Sequence, residues 1–362
     1  MSAVNSKSNR TRTIRYSLTI IIVLLLVAPA IVAYVFTNKA LYPAWAMGFT
    51  DCPESREAGW GPNCGNVRLQ NNYIFEELSI PSANGTNVPA WYFPAAANAN
   101  VDRTQHWSPL NVTSDEALQE NAAVLEFYRN LKPGTGPAVR YPNGRYAAFF
   151  VHGGGADRRQ GYRYVPFFTQ RGIDFYVFDM ICHGEADCPV QGLSFGQREH
   201  RDVLAVYRHL ADRYQGIVAT GTSVGATALL VALPDMPRVR AVIVENPMIG
   251  IGDFVRDTPA APALFPDWYR KVLLSVLLTR GRFDGLATAS NSLGVGLNTP
   301  ILFIHSQQDS LNPWQHSVTL HDLHAGPAEL WLLQSGGHSR LWNANPELFE
   351  RRMSAFLLTH LR

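Results

Sequence analysis

Short apolar runs alternate with amphipathic stretches from residue 145 to the end of the chain. Runs of this length are typical of parallel strands that are buried on both faces. Segments with helical periodicity lie between them, so the pattern predicts a doubly wound, mostly parallel α/β sheet. The predicted strands are Tyr146–Val151, Phe175–Phe178, Ile217–Ala219, Ala241–Val244, Ile301–Ile304 and Leu330–Leu333, and the predicted helices are Phe195–Arg213, Val224–Leu233, Trp314–Leu323 and Pro346–Leu361.

The remaining segments of residues 72–362, which we predict to form one domain, have other patterns. Alternating apolar positions in Tyr73–Ile80 and Val88–Phe93, separated by the turn-forming residues 82–85, predict a β-hairpin. Residues 95–143 are interpreted as an insertion, with a helix that a capping-box spacing starts at Thr113. Residues 247–299 are expected to form a small helical cap.

An uncharged apolar segment, Leu18–Phe36, lies near the N-terminus. At ~1.5 Å per residue it nearly spans a hydrocarbon core of ~30 Å, which predicts a transmembrane helix over residues 17–37. It would follow a short cytoplasmic N-terminus, residues 1–16, and precede a linker, residues 38–71. A signal peptide cleaved near residues 28–30 is the alternative.

The basic residues near this segment are distributed unevenly. Four precede it and only Lys39 follows it before the first acidic residue. The positive-inside rule therefore predicts a single-pass membrane protein whose large domain, residues 72–362, is extracytoplasmic. The four preceding residues are Lys7, Arg10, Arg12 and Arg15.

Charge and cysteine usage narrow the class of protein. The 31 basic and 29 acidic residues are spread along the chain without a basic stripe, so nucleic acid is not an expected partner.

Two local cysteine pairs, Cys52 with Cys64 and Cys182 with Cys188, are predicted to form disulfides if the domain faces an oxidising compartment. Unpaired thiols are the alternative. Neither pair has zinc-site spacing, and no metal or cofactor is expected.

The stretch Gly221-Thr222-Ser223-Val224-Gly225 lies between a predicted strand and a predicted helix. This context is the one that a G-x-S-x-G nucleophile elbow requires. Its glycines permit a sharp reversal of the chain, and the turn presents the serine hydroxyl above the edge of the sheet. We therefore expect Ser223 to be a nucleophile.

A second glycine-rich turn, His152-Gly153-Gly154-Gly155, follows the first predicted parallel strand. Backbone N–H groups here could stabilise an acyl oxyanion, and we predict Gly154 and Val224 as the two donors. A plain glycine turn or a phosphate-binding loop is the alternative, although no Lys-Ser or Lys-Thr follows to complete a Walker motif.

The base that activates a serine is usually a histidine, and the chain has 11. His338 lies in a loop between the last predicted strand and the last predicted helix, where a base is expected after the nucleophile and the acid in chain order. Asp309 follows the strand Ile301–Ile304 and is predicted to orient the imidazole. Glu245, which ends another strand, is the alternative acid.

With these motifs, the chain from Tyr73 onward, about four-fifths of its length, resembles the α/β-hydrolase superfamily and within it the membrane-anchored Bem46-like and ABHD-type hydrolases. The resemblance implies an α/β-hydrolase fold with Ser223, Asp309 and His338 as nucleophile, acid and base. The three glycines after His152 and the length of the insertion depart from the common pattern of that group. The similar stretches are residues 79–85, 90–94, 178–179, 183–184, 245–247, 282–284 and 304–305, with Asp309 and residues 337–338.

The expected activity is hydrolysis of carboxylic esters through an acyl-enzyme. The apolar cap and a membrane tether favour lipophilic acyl esters, which could be small molecules or lipids. A peptidase or thioesterase with the same triad is one alternative. A catalytically silent membrane-bound binding protein is another.

Overall fold

The computed structural model describes residues 16, 27–42, 52, 56, 59–70, 72–103, 114–131, 139–190, 192–259 and 265–361. They contain an eight-stranded sheet with the strand order β1-β2-β4-β3-β5-β6-β7-β8. The pairs β1–β2 and β2–β4 are antiparallel and the other neighbours are parallel. The strands are β1 Glu76–Pro81, β2 Asn87–Phe93, β3 Tyr146–Val151, β4 Ile173–Phe178, β5 Gly216–Thr222, β6 Val239–Glu245, β7 Ile301–Ser306 and β8 Ala328–Leu333.

Helices cover both faces of this sheet, and an additional helix, α1, covers residues 27–41. Short 3₁₀ segments occur at Pro62–Gly65, Val67–Leu69, Arg158–Tyr164 and Leu233–Asp235. The other described helices are α2 Ala95–Asn98, α3 Asp115–Asn130, α4 Val165–Thr169, α5 Glu199–Ala211, α6 Val224–Ala232, α7 Ile251–Asp257, α8 Asp267–Gly281, α9 Ala289–Leu293, α10 Gln315–Leu323, α11 Leu341–Ala344 and α12 Pro346–His360.

Strand β3 explains why the predicted core strands are continuously apolar. Its residues Ala147, Phe149 and Val151 belong to one hydrophobic cluster, and the alternate residues belong to a second cluster on the other face. Every residue of β3 is buried. Because neighbouring side chains point to opposite faces of a strand, a sheet covered by helices on both sides needs apolar residues at every position. The predicted doubly wound α/β sheet is confirmed.

The predicted β-hairpin is also present, as β1 and β2. Pro81 pairs with Asn87 at its closed end, and Gly85 adopts a positive φ of 76° in the turn. Strand β2 then pairs antiparallel with β4, which places the hairpin at one edge of the sheet.

Two predicted helices have observed first residues that can be compared with the expected ones. The helix predicted from Phe195 begins only at Glu199, because the Glu199 carboxylate accepts hydrogen bonds from the backbone N–H groups of Ser194 and Gly196 and holds a turn there. In the predicted insertion, Thr113 lies outside the described residues, and α3 begins at Asp115. The predicted cap, residues 247–299, contains α7, α8 and α9.

The predicted transmembrane segment is only partly described, because residues 17–26 lie outside the described residues. In the part of the chain that is described, no helix has the length and apolarity needed to cross a membrane. Helix α1 also continues past Phe36 to residue 41, where a linker was expected. The reason is tertiary packing, since Ala33, Thr37 and Leu41 are buried against the rest of the protein.

Both predicted disulfides are confirmed. Cys52 is bonded to Cys64 with a Cα–Cα distance of 5.4 Å, and Cys182 is bonded to Cys188 with a Cα–Cα distance of 4.3 Å. The second bridge closes the loop that follows β4.

Candidate functional site

The turn between β5 and α6 has the geometry of a nucleophile elbow. Ser223 adopts φ 53° and ψ −122°, a strained conformation for a residue with a Cβ atom. Gly225 permits the close approach behind it, because a Cβ there would lie 2.2 Å from the His152 carbonyl oxygen and 2.4 Å from that of Val151. The strain is thus held in place by the contact between α6 and the end of β3.

Three polar side chains from separate strand ends meet at this turn. The His338 Nε2 atom lies 2.8 Å from Ser223 Oγ, and His338 Nδ1 lies 2.7 Å from Asp309 Oδ2. With Nδ1 protonated, the imidazole donates to the carboxylate and can accept the serine proton. They meet because β5, β7 and β8 are parallel and their carboxyl ends share one edge of the sheet.

The carboxylate of Asp309 is buried and accepts several hydrogen bonds. Its Oδ1 accepts from the backbone N–H groups of Leu311 and Asn312, each at 2.8 Å, and its Oδ2 also accepts from Asn246 Nδ2 at 2.7 Å. Burial by itself would raise the pKa of Asp309, but hydrogen bonds from His305 and His338 outweigh burial and hold the pKa below its usual value. The carboxylate is therefore ionised at neutral pH.

Glu245, the alternative acid, has other partners. Its Oε1 accepts from the backbone N–H of Leu341 at 3.0 Å, and its Oε2 lies 3.7 Å from Arg163 Nη2. The carboxylate that contacts the imidazole is that of Asp309.

The glycine turn after β3 lies against the elbow. A Cβ at Gly153 would be 3.6 Å from Ser223 Cβ, and one at Gly154 would be 2.9 Å from Val224 Cγ2. The Gly153 N–H donates to Gln160 Oε1 at 2.9 Å, so it is directed away from a bound acyl group. Gly154 and Val224, the two expected oxyanion donors, both line the cavity beside Ser223.

This cavity has a volume of about 390 Å³, which lies within the range of ~300–1,000 Å³ common for small-molecule sites. Its walls come from the elbow, the cap and α1, and most of the side chains are apolar. Lys39 and His338 are the titratable side chains among the described lining residues. The lining residues are Phe36, Lys39, Ala40, Gly154, Leu193, Phe195, Ser223, Val224, Met248, Phe254, Thr258, Leu311, Asn312 and His338.

The sequence pattern alone assigned no role to Asn246 or to the α1 residues that line the cavity. Asn246 donates to Asp309, and its Oδ1 accepts from the backbone N–H of Ser339, next to His338. Its position directly after β6 was the available signal, since polar residues at strand ends converge in this fold. The α1 residues that line the cavity gave no comparable signal. Among the described residues, no cluster of three or more His, Cys, Asp or Glu side chains could hold a metal ion.

Comparisons with known proteins agree with this architecture. Residues 143–293 match the family described as serine aminopeptidase, S33. The uncharacterized protein YfhR of Escherichia coli strain K12 is 23% identical over 233 residues, which cover 63% of this chain and 74% of that protein. The esterase Pf2001 of Pyrococcus furiosus superposes with a TM-score of 0.56 at 15% identity, covering 82% of this chain and 93% of that chain. Mouse α/β hydrolase domain-containing protein 10 gives a TM-score of 0.50 at 16% identity, covering 78% and 99%.

The sheet order, the elbow and these matches define the class. The chain has the α/β-hydrolase fold, residues 143–293 match a hydrolase family, and these matches support hydrolytic activity. The narrower resemblance to Bem46-like, membrane-anchored members stays a prediction.

Proposed function

We propose that the protein is a serine hydrolase that cleaves carboxylic esters through an acyl-enzyme. The observation that carries the proposal is the hydrogen-bonded series from Ser223 through His338 to Asp309, with distances of 2.8 Å and 2.7 Å, at a cavity wall. A nucleophile, a base and an orienting acid in this order are what acyl transfer requires.

In the first half-reaction, Ser223 Oγ attacks the ester carbonyl carbon while His338 Nε2 takes the hydroxyl proton. The N–H groups of Gly154 and Val224 stabilise the negative charge that forms on the carbonyl oxygen. His338 then gives its proton to the leaving alcohol oxygen as the C–O bond breaks, which leaves an acyl group on Ser223. In the second half, His338 removes a proton from water and the water oxygen attacks the acyl carbon. His338 then returns the proton to Ser223 Oγ as the bond between Oγ and the acyl carbon breaks, which releases the carboxylic acid and restores the serine.

The role of Asp309 in this scheme is electrostatic. It remains ionised because its pKa is depressed, so it holds the imidazole in the tautomer that can accept the serine proton and stabilises the imidazolium that follows. Asn246 binds both the carboxylate and the loop that carries His338, which fixes the distance between acid and base.

The cavity favours an ester over a peptide substrate. The S33 match raises aminopeptidase activity as a second candidate, and such an enzyme needs an anion to bind the free α-ammonium group of a peptide. Among the described lining residues there is no carboxylate, whereas Lys39 contributes a positive charge. The many apolar side chains suit the acyl group of an ester, from a small molecule or a lipid. A panel of esters, thioesters and amino-acyl amides separates these activities.

Covalent labelling with a fluorophosphonate probe tests the nucleophile. We expect the full-length protein and a control, Ser275→Ala on the exposed side of α8, to be labelled and to hydrolyse p-nitrophenyl esters. Ser223→Ala should lose labelling and lose turnover on the order of a millionfold. Labelling or equal hydrolysis by Ser223→Ala would overturn the proposal. A wild-type protein that is folded, unlabelled and inactive would favour a binding role instead.

We also propose that the apolar N-terminal segment tethers the protein to a membrane, with the hydrolase domain extracytoplasmic. Support comes from the uncharged sequence of residues 18–36 and from Val27, Ile31 and Val32, which are 46%, 56% and 38% exposed on α1. The two disulfides fit an oxidising compartment. The protein should stay in the membrane fraction at alkaline pH, and protease should reach the domain in intact cells. Protection of the domain until the membrane is broken would refute this orientation.

A further inference from the structure

Helix α1 is hydrogen-bonded to the cap helix α8 and, at its end, to the loop that precedes α5. The Tyr269 hydroxyl donates to the Pro29 carbonyl oxygen near the start of α1. Arg280 donates to the carbonyl oxygen of Tyr34 at 3.0 Å and also to the Thr37 hydroxyl. At the end of the helix, the Leu41 carbonyl oxygen accepts a hydrogen bond from the backbone N–H of Leu193 at 2.8 Å. These contacts fix α1 in both rotation and position along its axis.

The buried face of α1 belongs to the same hydrophobic cluster as the cavity walls. Ala33 and Leu41 are buried in a cluster with Leu193, Phe195 and Val224, all three of which line the cavity. Phe36 and Ala40 pack against this cluster. Helix α1 is therefore continuous with the packing around the catalytic elbow.

Two of these α1 residues also face the cavity. Phe36 and Ala40 are four residues apart, so they lie on one side of the helix, and both line the cavity that contains Ser223 and His338. We propose that α1 forms one wall of the acyl-binding pocket, and that Phe36 and Ala40 set the size of the acyl group accepted. This inference rests on the proposed ester hydrolysis and deepens it.

The chemistry of the pocket identifies the class of acyl group. Most of the lining side chains, among them Leu193, Phe195, Met248 and Phe254, are apolar, so a polar acyl group packed against them would lose bonds to water without replacement. Alkyl groups gain free energy for every methylene buried. The substrate class is thus an ester with an unbranched or branched alkyl acyl group whose length α1 limits.

Acyl-chain selectivity of the full-length protein in detergent tests this wall in both directions. We measure the ratio of kcat/KM for p-nitrophenyl octanoate to that for p-nitrophenyl acetate. Ala40→Phe narrows the pocket and should lower the ratio about fourfold for each methylene group excluded, hence ~15-fold to ~60-fold for two or three. Phe36→Ala widens it and should raise the ratio. The matched controls are Val35→Phe and Val35→Ala, at a neighbouring side chain that is 46% exposed, and both should keep the wild-type ratio.

The outcomes separate this inference from the function on which it rests. If the wild type is neither labelled by the fluorophosphonate probe nor active on any ester, the proposed function fails and the pocket assignment with it. If all variants are active and labelled but the ratio is unchanged in Ala40→Phe and Phe36→Ala, only the wall is refuted. Should Ala40→Phe fail to fold, as judged by its thermal transition, Phe36→Ala alone decides the matter.

Discussion

Replacing Asp309 with asparagine is the sharpest test of how the carboxylate acts. The change converts one buried oxygen into an NH₂ group. In the wild type, Asp309 Oδ1 accepts from the backbone N–H groups of Leu311 and Asn312. The asparagine side chain satisfies both donors only if its oxygen occupies the position of Oδ1. Its NH₂ group must then point at His338 Nδ1 and at the Asn246 amide. The imidazole would accept at Nδ1 and carry its proton on Nε2, where it cannot take the serine proton.

We therefore expect Asp309→Asn to reduce kcat by ~10⁴-fold, as the wrong tautomer does in a Ser-His-Asp triad on another fold. At ~1.36 kcal/mol per factor of ten, the loss is about 5.4 kcal/mol of transition-state stabilisation. The assay is steady-state hydrolysis of p-nitrophenyl butyrate, with active sites counted by the fluorophosphonate probe. Glu245→Gln is the matched control, since Glu245 is buried at the end of β6 but pairs with Arg163, and its activity should fall by less than ~10-fold. An Asp309→Asn enzyme within tenfold of the wild type, or a more damaging Glu245→Gln, would refute the reasoning.

Three further outcomes follow from described contacts. Because the pKa of Asp309 is depressed in the fold, its stabilising contribution is complete above the unfolded pKa and declines as pH falls through the lower folded pKa. The difference in unfolding free energy between wild type and Asp309→Asn should thus shrink below about pH 4, and growth of that difference on acidification would contradict this. Gly225→Ala forces a Cβ into two carbonyl oxygens and should lower the thermal midpoint and abolish activity, whereas Gly252→Ala, with its nearest contact at 3.8 Å, should be neutral or slightly stabilising. The double change of Cys182 and Cys188 to serine should cost about 2 kcal/mol of stability by loop-closure entropy, measured by denaturant unfolding, and an unchanged midpoint would show that the bridge does not constrain the unfolded chain.

The sheet and the elbow could be predicted because their signals are local. Strands β3 and β5 are buried on both faces, so β3 appears in the sequence as a continuous apolar run and β5 as a shorter run that ends at Ala219. The elbow needs glycine where Gly225 approaches the Val151 carbonyl oxygen, and that requirement is visible in five consecutive residues. The loops that follow parallel strands lie at one edge of the sheet. Polar residues in these loops can therefore be predicted to lie close together before any side-chain contact is known.

The remaining features depend on contacts between distant parts of the chain. Glu245 ends β6 and Asp309 follows the neighbouring strand β7. Their environments differ in contacts that the pattern does not show, since Glu245 pairs with Arg163 and Leu341 whereas Asp309 contacts His338. The apolar pattern of residues 27–41 is the same whether the helix packs on lipid or on protein. Its contact with α8, more than 200 residues later, has no signature in the pattern.

Helix α1 belongs both to the apolar N-terminal segment and to the hydrophobic packing of the hydrolase fold, so removing the segment also removes part of the fold. A fragment starting at residue 43 would lack Ala33 and Leu41, which belong to the same buried cluster as Leu273 and Leu277, and would leave apolar residues of the cavity wall uncovered. Exposed apolar patches of this kind promote self-association. A shortened protein designed for easy purification would therefore be prone to aggregate, and the activity it retained would describe an altered pocket.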